Sequence, residues 1–445
     1  MKRVVKAAIC WLFVLILVCS SAACQGGEVK TDILPEDYTP RVGGISFDDG
    51  TLPNITGLYT VDTDRDILWG FNNMYHPTIV KVNDKKYPYR MYFFGWAFSE
   101  TNVGWPGCDA IFLARGKNLD HWEVYSRSKE TRENYWDVPD EENKYTTKEW
   151  MPIVTASDNW YDNWHNGDPS VVYKDGKYYM AYSAYGLDKD GYLSNTNGDT
   201  DGDISCIMGA VSTDGINFEK TSYPIAIWED EIGKKEPVTS DGSGFTSTPF
   251  YGLYHRPSIL YDETAKCWKM WFDYINEDLM AMGYAENHGD FMNPDDWEVI
   301  RAGDNPCLPH MCNPDVKYIN GKYFCYGDPD ATYYGASNDR LNIDGWTKRQ
   351  LVEAQSDDGI NWTVTGYILP DEDTFADHVP CIYYEQGVLF LFYATQIGYG
   401  DVNETEGVYD YKYDRLRYMI RSIDYQYEND KNFAGPYQKP EGMDE

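Results

Sequence analysis

The sequence predicts an all-β protein, a five-bladed β-propeller with four antiparallel strands in each blade. Three observations lead to this prediction. Aromatic residues make up 16% of the chain, including 39 Tyr and 15 Trp, and aromatic side chains favour strands. The 38 Gly and 22 Pro supply the turns that many short strands need. A two-part sequence pattern also recurs five times, which indicates a repeat architecture.

The first part of the pattern is a β-hairpin whose first strand opens with a proline-containing tetrad. In copy two, Gly167-Asp-Pro-Ser-Val-Val172 leads through the turn at 174–176 into the aromatic strand Lys177-Tyr-Tyr-Met-Ala-Tyr-Ser183. Asp-Gly, Asn-Gly and Gln-Gly turns punctuate the copies, and such turns suit hairpins. The five tetrads carry Pro77, Pro169, Pro257, Pro314 and Pro380.

The second part is a third strand, an Asp-Gly turn and an outer strand. It reads Gly209-Ala-Val-Ser-Thr-Asp-Gly-Ile-Asn-Phe218 in copy two and Glu353-Ala-Gln-Ser-Asp-Asp-Gly-Ile-Asn-Trp362 in copy four, with weaker relatives in the other copies. Together the two parts supply the four strands of a blade. The alternative is a repetitive β-sandwich or a pair of β-domains, which does not normally return one signature five times.

The start of the chain has the pattern of an export signal. Basic residues at 1–6 precede an apolar run that ends in small residues before Cys24. We predict a signal peptide over 1–23, a lipid on Cys24, a tether over 24–45 and the propeller over 46–445. Ser21 stands where lipoboxes usually carry an aliphatic residue, so cleavage without lipid and an uncleaved anchor are alternatives. Each places the domain outside the cytoplasm, as a lipoprotein facing the cell surface or periplasm or as a secreted protein.

The charge and the cysteines limit the partners. With 72 acidic and 38 basic residues the net charge is −34, so nucleic acid is a poor partner and a membrane is expected only through the lipid anchor. Neutral carbohydrate is compatible with this charge.

Seven cysteines follow Cys24, and an odd number excludes a complete disulfide framework. Cys307 and Cys312 are close enough in sequence to pair in an oxidising compartment.

The tetrads Asp168-Pro-Ser-Val-Val172 and Arg256-Pro-Ser-Ile-Leu260, with the Ser-x-Asp-Gly-x-Asn-Phe/Trp motif, resemble the five-bladed glycosidase superfamily of arabinanases, β-xylosidases, invertases and levansucrases. Glycoside hydrolase family 43 is the nearest group. The resemblance covers nearly the whole mature chain and implies an axial pocket with an Asp base in blade one, a pKa-tuning Asp in blade three and a Glu acid in blade four. This chain has His76 and Arg256 at the first two places and no Glu at the third.

Glycoside cleavage needs one protonated carboxyl group and one carboxylate. The tetrads offer three acidic candidates as the catalytic residues, with Asp168 as the base and Asp315 or Asp377 as the acid. His378 is an alternative proton donor. An Asp before Pro also caps turns, and that is the alternative reading of Asp168.

Five of the seven histidines fall within five residues of a tetrad, one for each blade. If the tetrads converge on an axis, these imidazoles and Arg256 surround a shared site, while aromatic side chains provide flat faces for sugar rings. The predicted substrate-binding residues are His76, Trp96, Trp164, His165, His255, Arg256, His310 and His378, with Trp105, Trp160 and Tyr185 as further platforms.

One loop resembles part of an EF-hand calcium loop. Its predicted ligands are Asn197, Asp199, Asp201 and Asp203, but Met208 stands where the bidentate Glu belongs. A solvated polar loop is the alternative. Apart from this possible calcium, no cofactor is expected.

These observations predict an exported glycoside hydrolase that cleaves poly- or oligosaccharides by carboxylate acid/base catalysis in the axial pocket. The alternative is a non-catalytic glycan-binding lipoprotein on the same propeller. A third interpretation, a phosphorylase, requires a cationic phosphate pocket around Arg256.

Overall fold

The computed structural model describes residues 53–61, 66–69, 73–96, 109–139, 149–186, 204–228, 251–276, 279–329, 351–368, 376–396 and 414–423. Within these ranges the regular structure is β-strand, apart from three single-turn 3-10 helices at Thr56–Leu58, Trp160–Asp162 and Pro294–Asp296. The all-β prediction is confirmed. Over the same ranges, no helix has the length and apolar character needed to cross a membrane. Cys24 and the four predicted calcium ligands lie outside the described residues.

In the described parts of the chain, twenty-four strands form five separate antiparallel sheets. The N-terminal segment contributes β1 Thr60–Val61 and β2 Leu68–Trp69. Blade one contains β3 Asn73–Lys81, β4 Tyr89–Trp96, β5 Asp109–Gly116, β6 Trp122–Arg127, β7 Asn134–Asp137 and β8 Val154–Thr155. Blade two contains β9 His165–Lys174, β10 Lys177–Gly186, β11 Ile204–Ser212 and β12 Glu219–Lys220.

The remaining strands complete the ring. Blade three contains β13 Tyr251–Asp262, β14 Cys267–Asn276, β15 Leu279–Asn287, β16 Trp297–Arg301 and β17 Leu308–Pro309. Blade four contains β18 Asp315–Ile319, β19 Lys322–Gly327, β20 Leu351–Ser356 and β21 Thr363–Ile368. Blade five contains β22 Ala376–Glu385, β23 Val388–Gln396 and β24 Asp414–Ser422.

Both ends of the described chain build the fifth blade. Strands β22, β23 and β24 pair in sequence order, and β1 pairs antiparallel with β24 through Thr60↔Ile420 and Val61↔Met419. The outermost strand of blade five therefore comes from the N-terminal segment. This exchange closes the ring, and it confirms five blades with four antiparallel strands as their common core.

The first strand of each blade lies nearest the axis. Strands β3, β9, β13, β18 and β22 each contact the next in this order, and β22 returns to contact β3. The five proline-bearing segments therefore surround one axis, as the sequence predicts. A sandwich or a pair of domains would not produce this closed circuit.

Apolar layers between neighbouring blades form the core. Between blades five and one, Phe93 and Phe112 belong to the same buried cluster as Phe390. Between blades three and four, Trp271 is fully buried and its indole N–H donates to the Gly359 carbonyl oxygen at 2.7 Å. Gly359 has a φ of +78° in the Asp-Gly turn, a conformation that glycine adopts without strain. The turn motif thus ties blade four to blade three.

A kink recurs at the same place in every inner strand. The residue before the tetrad proline has a positive φ of 53°, 47°, 49°, 49° and 49° in blades one to five. A residue before proline rarely adopts a positive φ, so each kink is a strained feature held by its surroundings. These pre-proline residues are His76, Asp168, Arg256, Asn313 and Val379.

Cys307 and Cys312 are close enough in sequence to pair, but no disulfide joins them. The other four cysteines in the described ranges are not in disulfides either. Cys312 is buried and its Sγ lies 3.6 Å from Asp273 Oδ2, whereas Cys307 is only partly buried. The Cys312 thiol instead contacts Asp273 and Arg256 of blade three.

Candidate functional site

Asp168 lies at the centre of a cluster of cationic and imidazole groups. Its side chain is only 3% exposed, and its Oδ1 accepts no hydrogen bond from any residue that the structure describes. Burial raises the pKa of Asp168, but His76, Arg256, His165 and His255 together lower it below its ordinary value. Asp168 is therefore an ionised carboxylate with an available oxygen.

Asp273 on β14 is the second carboxyl group of this cluster, and the sequence pattern did not reveal it. Its side chain is 0% exposed. Its Oδ2 accepts from Arg256 Nη1 at 3.1 Å and from the Asn313 N–H at 2.9 Å, while its Oδ1 lacks a hydrogen-bond partner within the described ranges. Burial raises the pKa of Asp273, although Arg256 opposes the shift, and the charge of Asp168 raises it further.

The pair therefore has the electrostatic character of an acid and a base. The pKa of Asp168 is lowered and that of Asp273 is raised, and each carboxyl group keeps one oxygen without a partner in the described chain. Environments that move two pKa values apart are how acid/base roles are divided between like groups. Arg256 connects them, since it bonds Asp273 and its charge lowers the pKa of Asp168.

The position of Asp273 in its blade also has a structural role. Ser183 Oγ in blade two accepts the N–H of Arg256 at 2.8 Å, and Asp328 Oδ2 in blade four accepts the N–H of Val379 at 2.9 Å. Asp273 does the same for Asn313. In each case the side chain holds the kinked pre-proline residue of the next blade. Asp328 differs because its Oδ1 accepts from Asn313 Nδ2 at 2.5 Å.

His165 and His255 have pKa values shifted in opposite directions. Burial opposes protonation of His165, but its ion pair with Asp109 of blade one raises its pKa. Asp109 also accepts the Asn166 N–H at 2.8 Å, which fixes the carboxylate. Burial lowers the pKa of His255 to about 3, and Arg256 adds to the shift. His255 is therefore neutral at ordinary pH, and Asp109 is a second residue that sequence reasoning missed.

His76 is buried beside the tetrad of blade two. Its Nδ1 lies 3.3 Å from the carbonyl oxygen of Pro169, and its Nε2 meets no hydrogen-bond partner among the described residues. The neighbouring Thr78 hydroxyl donates to the same carbonyl at 2.6 Å. His76 thus keeps one ring nitrogen available, and its proximity lowers the pKa of Asp168.

Rings from four blades form an aromatic arc beside the carboxylates. The arc consists of successive ring pairs with centroid distances of 5.8, 4.3, 5.7, 6.4 and 6.4 Å, through His378, Tyr75, Phe94, His165, Tyr185 and His255. Tyr75, Tyr185 and His255 are partly exposed. Flat rings with polar edges are what a sugar site needs for stacking and for hydroxyl recognition.

Asp315 is fully engaged in contacts between blades. Its Oδ1 accepts from Ser258 Oγ at 2.9 Å and Lys317 Nζ at 2.6 Å, and its Oδ2 accepts from the Ile382 N–H at 2.6 Å. It occupies the place of Ser170 in blade two, whose Oγ accepts the Ile259 N–H at 2.9 Å. These contacts favour a structural role, and its catalytic role stays a prediction.

Asp377 and His378 are neighbours on β22. Both are 8% exposed, and they pair with Thr395 and Ala394 of β23. Adjacent residues on a strand point to opposite faces, so His378 joins the aromatic arc while Asp377 points the other way. The roles of both residues stay predictions.

The other predicted residues are distributed around the rim. Trp164 is partly buried, and its N–H donates to the Tyr185 carbonyl at 3.1 Å beside the arc. Trp160 is 37% exposed. His310 follows β17, and burial lowers its pKa. The backbone of Trp96 ends β4, but its side chain lies outside the description, as does all of Trp105.

Neither a protein-family model nor a curated protein matches this sequence. Solved structures that resemble it include a complex of BT0996 with RGII, 14% identical with a TM-score of 0.49, where the match covers 85% of this protein and 96% of BT0996. Zg3597, a family 117 glycoside hydrolase from the marine bacterium Zobellia galactanivorans, is 12% identical with a TM-score of 0.47, covering 86% and 95%. The Bombyx mori GH32 β-fructofuranosidase BmSUC1 is 13% identical with a TM-score of 0.46, covering 81% and 61%.

These TM-scores are below 0.5 and the identities below 15%. The five-bladed architecture therefore rests on the strand topology of this chain. Its chemistry rests on the residues around Asp168.

Proposed function

We propose that the protein is a glycoside hydrolase that acts on poly- or oligosaccharides at the axial site, with Asp168 as the base or nucleophile and Asp273 as the acid. The observation that carries the proposal is the pair of carboxyl groups with opposite pKa shifts beside Arg256. The aromatic arc supports a carbohydrate substrate, because it offers flat rings around the carboxylates.

In the proposed reaction, Asp273 donates its proton to the glycosidic oxygen as the bond from that oxygen to the anomeric carbon breaks. Asp168 removes a proton from the attacking water, or bonds the anomeric carbon first and is then released by water. In both routes the water oxygen ends on the sugar. In the first route, the proton gained by Asp168 returns to solvent as Asp273 is reprotonated. In the second route, Asp273 takes the proton of the attacking water and is restored by it. The positive charge of Arg256 keeps Asp168 ionised through this cycle.

This assignment differs from the sequence-based hypothesis in the acid. Asp315 has both oxygens occupied by Ser258, Lys317 and the Ile382 N–H, so a proton there would break contacts between blades. Asp273 keeps Oδ1 for a proton without losing either of the hydrogen bonds to Oδ2. His378 remains the alternative donor on the arc.

The test compares three isosteric substitutions. Purified protein is screened against aryl glycosides and oligosaccharides, with and without inorganic phosphate to detect phosphorolysis. We expect Asp168→Asn and Asp273→Asn each to lower kcat by about 100-fold or more, the range of general acid/base contributions. Asp328→Asn is the matched control, because it holds the next blade in the same way but has no proposed role in the chemistry.

Two results would refute parts of this proposal. Equal activities of the Asp273→Asn and Asp328→Asn proteins would remove Asp273 from the mechanism. Full activity of the Asp168→Asn protein would remove the base. Both Asp273→Asn and Asp328→Asn keep an oxygen that accepts the N–H of the next blade. We therefore expect both variants to fold, so that a loss of activity is distinguishable from a loss of folding.

A second candidate function is glycan binding without cleavage. It is favoured by the role that Asp273 shares with Ser183 and Asp328, which explains its presence without catalysis. Asp168 alone would then contribute a carboxylate to the ligand. Calorimetric binding of an oligosaccharide that wild-type protein leaves intact over long incubation would support this function over hydrolysis.

We also propose that the protein is exported and lipid-anchored through Cys24, and that 197–203 binds calcium. Both proposals rest on sequence motifs. Metabolic labelling with a fatty acid tests the first, since Cys24→Ala would abolish incorporation if the proposal holds. Calcium titration of wild type against Asp199→Asn tests the second, and equal binding would refute it.

A further inference from the structure

Three side chains with metal-binding atoms converge at one edge of blade three, away from the axial site. They are Cys267, the first residue of β14, and Glu286 and His288 at the end of β15. Their ligand atoms all lie within 4.8 Å of one another. The register pairs Trp268 with Asn287, the last residue of β15, so Cys267 and His288 each lie one residue beyond this pair. Glu286 lies on β15, and His288 directly follows the end of that strand.

The carboxylate of this cluster is already oriented. Tyr284 Oη donates to Glu286 Oε1 at 2.5 Å, and His288 Nε2 lies 2.9 Å from Glu286 Oε2. A hydrogen bond from a neighbouring hydroxyl to a ligating carboxylate is typical of the outer layer of metal sites. Lys269, two residues after Cys267 on β14, pairs instead with Asp262 at 2.8 Å and with Tyr323 Oη at 2.8 Å.

The cluster extends from the interior to the solvent. Cys267 is 1% exposed, whereas the His288 side chain is 65% exposed and Glu286 lies between them at 21%. A metal ion can therefore reach the thiol from the solvent side by rotation of the histidine side chain. The buried sulfur provides the fixed part of the site.

We propose that Cys267, Glu286 and His288 form a zinc site that links β14 to β15, with water as the fourth ligand. The donor set determines the metal. Thiolate and imidazole favour Zn²⁺ and disfavour Ca²⁺ and Mg²⁺, which prefer oxygen. Three protein ligands with one open position is a known zinc arrangement.

The site is separate from the proposed glycosidase reaction. Cys267 lies six residues before Asp273 on the same strand, roughly 20 Å away at the usual rise per residue. A bound ion would join the hairpin end of β14 to the end of β15. This proposal therefore stands whether or not the protein cleaves glycosides.

The test uses the whole mature protein after chelator treatment and dialysis. Zn²⁺ affinity is measured by competition with a chromophoric chelator, and Co²⁺ serves as a spectroscopic probe because a thiolate–cobalt bond gives a near-ultraviolet charge-transfer band. We expect Cys267→Ser and His288→Gln each to weaken Zn²⁺ binding by about 100-fold or more. Cys267→Ser should also abolish the charge-transfer band.

Two matched variants are the controls. Cys307→Ser changes another free cysteine, and His121→Gln changes another exposed histidine. Both should bind Zn²⁺ as wild type does. The proposal is overturned if Cys267→Ser and His288→Gln retain wild-type affinity, or if Co²⁺ binds without a thiolate band. If Cys267→Ser does not fold, His288→Gln decides, since it alters an exposed side chain.

Discussion

Glu353 on β20 connects the segment that closes the ring to the blades beside it. Its Oε2 accepts from Tyr326 Oη at 2.5 Å, Arg421 Nη1 at 2.5 Å and Tyr59 Oη at 3.2 Å. Tyr326 belongs to blade four, Arg421 to β24 of blade five, and Tyr59 directly precedes β1. Glu353 is buried, and the Arg421 side chain is 19% exposed. One carboxylate thus joins both ends of the described chain.

We expect Glu353→Ala to lower the free energy of unfolding by about 3–5 kcal/mol, because Arg421 keeps a largely buried charge without its partner. For a domain of roughly 370 residues, an unfolding entropy of about 2.1 cal/mol/K per residue converts this loss into a fall in Tm of about 4–6 °C. Differential scanning calorimetry measures the fall directly.

The control is Glu263→Ala, which removes an exposed carboxylate paired with Lys266 at 2.9 Å and Lys174 at 3.3 Å. Solvent screening limits that loss to about 1 kcal/mol or less. Arg421→Met in the Glu353→Ala background should restore part of the stability, because it removes the unpaired charge. Equal Tm shifts for Glu353→Ala and Glu263→Ala, or no recovery in the double variant, would refute the reasoning.

Two further predictions concern the axial site. A Cβ on Gly167 would lie 2.5 Å from Phe94 Cδ2, so Gly167→Ala must displace the ring that stacks on Tyr75. We expect the free energy of unfolding, measured in urea, to fall by about 1–3 kcal/mol, and oligosaccharide binding, measured by calorimetry, to weaken. Unchanged binding would contradict the stacking role. The pKa of His165 is raised above its unfolded value of about 6.5, so its pair with Asp109 stabilises the fold fully below that pH and less as pH rises through the folded pKa. Asp109→Asn should therefore lower Tm most near about pH 5 and least in alkaline buffer, whereas parallel Tm–pH curves for the two proteins would count against the pair.

The architecture could be predicted because its signals are local. Each tetrad and each Asp-Gly turn lies within a short stretch, and five repetitions of both leave few topologies. The same locality identified Asp168 and Arg256, since each directly precedes a tetrad proline. Their kinked backbone at the axis is a consequence of that position.

Asp273 and Asp109 could not be found in this way. Asp273 lies between Phe272 and Tyr274 in the aromatic run of β14 and looks like an ordinary strand residue. Its role depends on Arg256 from its own blade and on the N–H of Asn313 from the next, which meet only in the folded ring. Asp109 acts through His165 of another blade. Contacts across blades leave no spacing signal in one sequence.

The backbone kink at the axial site recurs in all five blades although the side chain at the kink differs from blade to blade. The backbone has a positive φ of 47° to 53° at five residues with very different side chains, namely His76, Asp168, Arg256, Asn313 and Val379. Val379 fits this conformation worst, because a β-branched residue at positive φ is strained. The kink thus accommodates charged, polar and apolar side chains. Substitutions at these five places would vary the groups at the axis, but those at Arg256 and Asn313 would also remove the hydrogen bonds to Asp273 and Asp328.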